Sequence, residues 1–218
     1  MSDMVIDVVS DAVCPWCYVG KKRLEMALAK TDGVAPAVRW RPFQLDPSIP
    51  DGGLERKAYM RAKFRDDARI AEAHERLKAL GAEVGIRFDF DSIQRAPNTL
   101  NAHRLIRWAS EAGAQDAVVD RLFALYFEEG ADIGDVETLV QAAAACGMDA
   151  ESVKRRLATD EDVESVNAEI GEAQRVGVSG VPFFIFANRL AVSGAQSAEV
   201  LAQAIQEAAK PAEPTRLA

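Results

Sequence analysis

Cys14 and Cys17 stand in the order Cys-Pro-Trp-Cys inside VVSDAVCPWCYVGKKRLEMAL, residues 8–28. Cysteines at this spacing have three chemical readings: a redox pair, half of a metal site, or two buried thiols. On a helical turn residues i and i+3 share a side, so the two sulfurs can reach bonding distance without moving the backbone. With Cys14 at a helix N-cap, the unsatisfied N–H groups and the helix dipole favour its thiolate and lower its pKa from the free value of ~8.5. Cys17, inside the first turn, is expected to be more buried and to have the higher pKa. The roles then divide: Cys14 attacks or carries a mixed disulfide, and Cys17 resolves it. Pro15 stiffens the turn and removes one N–H donor, while Trp16 sets an apolar plate beside the active sulfur. Both act at the helix N-terminus and so tune the reduction potential. A zinc site needs about two further ligands. Cys146, His74 and His103 fall in separate helical segments with no spaced pair, so the redox reading is favoured and no metal is expected.

Other residues carry weaker signals. Pro182 in VSGVPFF (178–184) stands where a strand is about to start, and an X–Pro bond is the only kind that readily becomes cis. Asp11, three residues before Cys14, reads first as a turn and cap residue. If buried, Asp11 or Asp7 can assist proton transfer from Cys17. His103 reads as a helix-surface or interdomain residue that binds substrate if it faces a groove. Cys146 reads as a small core residue and His74 as solvated. The basic residues of GLERKAYMRAKFRDDAR (53–69) read as a solvated helical face.

The elements that must position these residues follow from pattern. MVIDVVS (4–10) is a β-branched, apolar strand, and a helix begins at Cys14–Pro15 and breaks at TDG (31–33). AVRWRPF (37–43) is a second strand, and LDPSIPDGG (45–53) a boundary. Helix formers dominate 54–64, 66–82, 98–112, 115–129, 135–146, 150–158 and 161–175, with Asn98 and Asp135 as starts and Gly113, Gly130 and Gly147 as stops. IRFDF (86–90) is a short strand or an extended connection. Residues 181–186 and 190–194 form a hairpin through ANR, 197–209 a final helix, and 210–218 a frayed tail. The order β-α-β, helical block, β-β-α requires the two ends of the chain to meet, because neither half makes a sheet alone.

The 218 residues, 49% hydrophobic and 28% charged, suit a soluble fold with a real core. A net charge of −8 argues against nucleic acid or an anionic membrane as partner. The N-terminus carries Asp3, Asp7 and Asp11 and lacks the basic and apolar regions of a secretory signal, so a cytoplasmic location is expected.

C-P-W-C after the first strand, a long helical insert, and G-V-P-F-F before a hairpin and final helix together resemble the DsbA-like thioredoxin superfamily. Within it the chain is most similar to the FrnE-like branch, cytosolic oxidoreductases with a CPWC site; NAHRLIRWA (101–109) also looks like this branch. The resemblance covers about residues 4–208. It implies an α/β thioredoxin-like fold interrupted by a large α-helical insertion, with residues 1–47 plus 176–209 as the thioredoxin-like domain and 48–175 as the insertion. It makes Cys14 the nucleophile and Cys17 the resolving thiol. Pro182 matches the cis-proline facing the dithiol, and Val181 offers main-chain hydrogen bonds to a bound polypeptide or glutathione. The DsbA enzyme itself is a secreted oxidant with a His in the dipeptide, so Trp16 argues against a strongly oxidising role.

The expected activity is thiol–disulfide exchange of reductase or isomerase type, with disulfide-containing or unfolded polypeptides, or glutathione, as partners. No bound cofactor is expected beyond the redox-active disulfide, and the chain is a monomer or homodimer. Two alternatives stay open: a glutathione-dependent isomerase or transferase, as in 2-hydroxychromene-2-carboxylate isomerases and kappa-class glutathione transferases, or a non-catalytic peptide-binding or chaperone module. The sister branches carry Ser where this chain has Cys14, which favours dithiol chemistry.

Overall fold

The computed structural model describes residues 4–31 and 33–211; most of the predicted tail, 212–218, lies outside them. The chain opens with β1 (Val5–Ser10), α1 (Pro15–Ala29) and β2 (Ala37–Pro42). There follow β3 (Leu54–Glu55), α2 (Arg56–Phe64), α3 (Asp67–Glu83), β4 (Arg95–Ala96), α4 (Leu100–Glu111), α5 (Gln115–Phe127), α6 (Val136–Ala145), α7 (Ala150–Leu157) and α8 (Val163–Arg175). It closes with β5 (Phe183–Phe186), β6 (Leu190–Ser193) and α9 (Ala198–Ala209). The four long strands form one sheet in the order β2-β1-β5-β6, with β1 parallel to β2 and antiparallel to β5. This is a thioredoxin-like α/β fold interrupted by helices.

Period-two alternation along the strands divides the sheet's faces. Ile6, Val8, Phe184 and Phe186 are buried in the main core with residues of α1 and α9. Val9 instead joins Phe43, Ala173 and Val178 in a second cluster. Ala173 belongs to α8, so a helix from the 48–175 stretch closes this second face. The outer edge of β2 is capped by a side chain: Trp40 N–H donates to Gln115 Oε1 at 3.0 Å and Gln115 Nε2 donates to the Trp40 carbonyl at 3.2 Å. That pairing blunts an edge that is otherwise a template for another strand.

The helix boundaries follow local chemistry. Asp135 caps α6 by accepting from Thr138 N–H. Asn98 lies one residue outside the N-cap of α4, which is Thr99, and its Oδ1 accepts from Leu100 N–H at 2.9 Å. The predicted stops Gly113 and Gly147 take φ +69° and +81°, the left-handed region in which a helix turns off. Residues 86–90 are an extended connection rather than a strand, because their aromatic side chains are buried while no strand lies alongside to pair with. The two-residue strands β3 and β4, which pair with each other, are too short to show a period. Among the described residues no helix is long and apolar enough to cross a membrane.

Candidate active site

Cys14 is the N-cap of α1 (φ −92°, ψ 111°) and Pro15 opens the helix. The Cys14 carbonyl accepts from Cys17 N–H at 3.0 Å and Tyr18 N–H at 3.3 Å, which places Cys17 one turn below. All three cysteines are free thiols. Cys14 Sγ donates to the Val181 carbonyl at 3.6 Å, across 167 residues of sequence. The Val181–Pro182 peptide is cis. Gly20 lets α1 approach this loop: a Cβ there would lie 2.9 Å from Pro182 Cγ and 3.2 Å from Phe184 Cζ.

Cys17 is fully buried. Burial pushes its thiol well above the ordinary range, and the hydrogen bond to Cys14 and that residue's charge push it further. The Ser10 hydroxyl and Asp11 N–H, which hydrogen-bond Cys17, offset only part of this rise. Chemically, two thiols one turn apart can close to a disulfide when a substrate disulfide takes up the two electrons, and the lower thiol must lose its proton to attack.

Beside Cys14 lies a cavity of about 510 Å³. Cys14, Trp16 and Val181 form its floor, while Tyr59, Met60 and Phe64 of α2 and Ile70 and His74 of α3 form much of its wall. The His74 ring stacks on Phe90 with centroids 4.1 Å apart, and burial, then Arg56, lowers its pKa, so it serves as a neutral aromatic wall. This corrects the expectation of a solvated His74. Arg56, Lys63 and Arg69 also line the cavity. Arg56 donates to Tyr126 Oη at 3.2 Å and Lys63 to Tyr59 Oη at 2.7 Å. Among the described residues neither Arg56 nor Lys63 has a carboxylate within ion-pair distance. Arg56, Lys63 and Arg69 outnumber the two carboxylates of the same lining, Asp11 and Asp46, so in a chain of net charge −8 the site keeps a small positive balance that favours anions.

The structure thus brings Cys14, Cys17, Pro15, Trp16, Val181 and Pro182 together. Asp11 also lines the cavity and is 1% exposed, and its Oδ2 accepts from Leu45 N–H at 2.8 Å. His103, 3% exposed, is not a helix-surface residue. Its Nε2 donates to the Phe43 carbonyl at 2.8 Å, tying α4 to the end of β2, and it does not line the cavity beside Cys14. Asp7 is away from the pair, in a two-point ion pair with Arg39 on the neighbouring strand. Cys146 is half-buried at the C-cap of α6, with its thiol raised by burial. Among the described residues no three His, Cys, Asp or Glu side chains gather as metal ligands would.

Sequence reasoning missed Ser10 and the cavity wall from α2. The wall did leave a signal: Arg56, Tyr59, Met60 and Lys63 recur at helical spacing. The 53–69 stretch is therefore only partly a solvated face. Its charges masked the apolar stripe that turns toward Trp16.

Comparison with known proteins places this geometry. Residues 5–206 match the DSBA-like thioredoxin domain. A probable DsbA oxidoreductase from Streptomyces coelicolor superposes with a TM-score of 0.88 at 35% identity, over 99% of this chain and 94% of that one. The uncharacterized protein YwbO of Bacillus subtilis is 28% identical over 94% of this chain and 97% of its own length. The cytosolic disulfide reductase DsbM of Pseudomonas aeruginosa, solved with glutathione, shares the fold at 16% identity and a TM-score of 0.64, over 93% of this chain and 98% of that one. The domain match runs from the first strand into the last helix and takes in the cysteine pair and the cis-proline loop: the chain belongs to the DsbA-like thioredoxin family.

Proposed function

We propose that this protein is a thiol–disulfide oxidoreductase exchanging electrons between the Cys14–Cys17 dithiol and protein disulfides or glutathione mixed disulfides. One observation carries the reading: Cys14 Sγ stands at a helix N-terminus 3.6 Å from the Val181 carbonyl, beside a cis peptide, with Cys17 buried one turn below. Cys14 thiolate attacks a substrate disulfide, and one substrate sulfur leaves as a thiolate that takes up a proton. Cys17 then attacks the Cys14 sulfur, the mixed disulfide breaks, and the second substrate thiol departs. The pair ends oxidised and the substrate reduced by two electrons. Val181 offers main-chain groups to an extended segment, as in strand addition. The cavity accommodates a small disulfide, or a large side chain flanking one, and its cations favour a carboxylate-bearing substrate such as a glutathione mixed disulfide.

The Cys-Pro-Trp-Cys site supports an FrnE-like enzyme of reductase or isomerase type, and the likeness to the cytosolic reductase DsbM supports a cytoplasmic location. We further place the helical insertion within residues 48–175 and assign α8 to the thioredoxin-like unit on whose sheet it packs. Titrating the pair in glutathione buffers, read by thiol alkylation and mass spectrometry, tests the function. A reversible two-electron transition is expected, and a potential near ~−270 mV marks a reductase while one near ~−180 mV marks an isomerase. The absence of any intramolecular disulfide across the range would reject the dithiol mechanism.

The depth and apolar lining of the cavity favour a second reading, a glutathione-dependent isomerase of small aromatic molecules. A 2-hydroxychromene-2-carboxylate isomerase shares the fold at 18% identity and a TM-score of 0.68, over 93% of this chain and 95% of that one. In that reading Cys17 is dispensable. In the first, Cys17→Ser traps mixed disulfides on Cys14.

A further inference from the structure

Resolution of a mixed disulfide poses a physical problem that the site geometry answers. Cys17 is fully buried and must lose its proton while a substrate on Cys14 fills the cavity above it. The proton therefore needs another way out.

Behind the cysteines the buried polar groups Ser10, His103 and Asp11 are grouped around a small void and the carboxylate beside it. Ser10, at the end of β1 and 6% exposed, stands close enough to Cys17 for its hydroxyl to pull that thiol's pKa down. Ser10 and His103 both line a void of about 10 Å³, close to the space one water needs. His103 also lines a cleft of about 210 Å³ between β2, α4 and α8, which shares Trp40, Arg41 and Ile106 with that void. Asp11 completes the arrangement. Its Oδ1 is the one buried side-chain oxygen or nitrogen without a hydrogen-bond partner among the described residues, and it lies 3.5 Å from His103 Nε2. A buried carboxylate oxygen without a hydrogen-bond partner is costly, so its placement beside His103 is an anomaly with a use. His103 Nε2–H is committed to the Phe43 carbonyl, which leaves Nδ1 to accept a proton, and Asp11 Oδ1 stabilises the imidazolium formed.

We propose that Ser10 and the His103–Asp11 pair form a proton path from Cys17 to the cleft beside β2, which shares no lining residue with the substrate cavity. The inference rests on the dithiol reading above. As Cys17 forms its bond to Cys14 and the Cys14–substrate bond breaks, the Cys17 proton passes through Ser10 to His103 and leaves through the cleft. The departing substrate thiolate is protonated from solvent at the open cavity. Ser10 is the first acceptor on this path, and His103 and Asp11 act through it. The other charged groups of the cleft are Arg39 and Arg41 from β2, Arg107 and Glu111 from α4, and Glu169 from α8. Arg39 is held by Asp7, and Arg41 and Arg107 by Glu169. On the other side, Tyr59 and Tyr126 feel the charge of Asp11.

The test is stopped-flow reduction of 5,5′-dithiobis(2-nitrobenzoic acid) by the dithiol protein, because attack by Cys14 and resolution by Cys17 each release one coloured thiolate. In His103→Gln, Asp11→Asn and Ser10→Ala the second release is expected to slow by roughly 10- to 100-fold relative to the first near neutral pH. The defect should shrink as pH rises and hydroxide replaces the path, and Ser10→Thr should restore the rate. Equal slowing of both releases, or an unchanged second release in all three variants, would overturn the path and leave the dithiol mechanism standing. Wild-type protein that releases only one equivalent would overturn the dithiol mechanism itself.

Discussion

Cys17 shows how one side chain's surroundings set its chemistry. Its thiol is neutral at physiological pH because burial, reinforced by Cys14, raises its pKa. By linkage, a group whose folded pKa is raised stabilises the fold fully below its unfolded pKa, near 8.5, and that contribution is lost as pH rises through the folded value. Reduced protein is therefore expected to lose stability progressively above about pH 8.5, and Cys17→Ser protein to lose less. Urea unfolding of both from pH 7 to 10 checks this, and parallel curves would show that Cys17 is not the source. Alkylation should follow the same environment, with Cys17 modified far more slowly than Cys146, which is only half-buried.

At the scale of elements, α1 is the piece that joins the catalytic motif to everything else. Its contact with the cis-proline loop depends on Gly20. Ala in a helix interior is worth about 0.5–1 kcal/mol over Gly, but the added Cβ would sit 2.9 Å from Pro182 Cγ, and overpacking costs about 1–3 kcal/mol. The clash wins: Gly20→Ala is expected to lower stability by about 1–2 kcal/mol and to slow Cys14 attack by moving Val181. A rise in the melting temperature with unchanged kinetics would show that the loop yields freely. On the same helix, Lys21 is 2% exposed and meets Glu25, Asp116 and Asp120. Burial pulls its pKa down, but the hydrogen bond to Glu25 and the charges of Asp116 and Glu25 outweigh it and raise the net value. This contribution is present below the unfolded pKa of about 10.4 and lost as pH climbs through the folded one. Because the three carboxylates are partly solvated, Lys21→Met is expected to cost about 1–3 kcal/mol rather than the full penalty of a broken buried pair. A loss near zero in denaturant unfolding at pH 7 would mean that the carboxylates simply rehydrate.

For the whole molecule, the thioredoxin-like unit and the helical block share one core. Tyr18 of α1 stacks on Phe123 of α5 at 5.0 Å and meets Phe88 edge-on at 6.0 Å, and its hydroxyl donates to Glu128 at 2.7 Å. The block is thereby held against α1, and α2 and α3 line the cavity beside Cys14. In the proposed function the cavity selects the substrate. Replacing Arg56 and Lys63 together by Glu should reduce kcat/KM for an anionic disulfide such as oxidised glutathione by about tenfold or more at low salt, and flatten its dependence on ionic strength. A neutral disulfide of similar size should be nearly unaffected. Equal losses for both would show that the substitutions distort the wall rather than remove attraction.

Much of this architecture was legible in the sequence because it depends on local rules. Residues 5–10 are a β-branched, apolar run, Pro15 sits where a helix starts, Gly113 and Gly147 end helices, and the spacing of Cys14 and Cys17 fits one helical turn. A period or a cap needs only neighbours along the chain, so these features are written there directly. The tertiary structure alone decided what depends on distant partners. Val181 reaches Cys14 across 167 residues, Asp11 is left with an unpartnered oxygen beside His103, and α8 covers the sheet although it ends the helical block. The wall that α2 builds at the cavity was hidden for the same reason: charges spaced along a helix read as solvated until another element is seen to cover one side. Burial and electrostatic environment are properties of packed surfaces, and no window of sequence contains both sides of the contact.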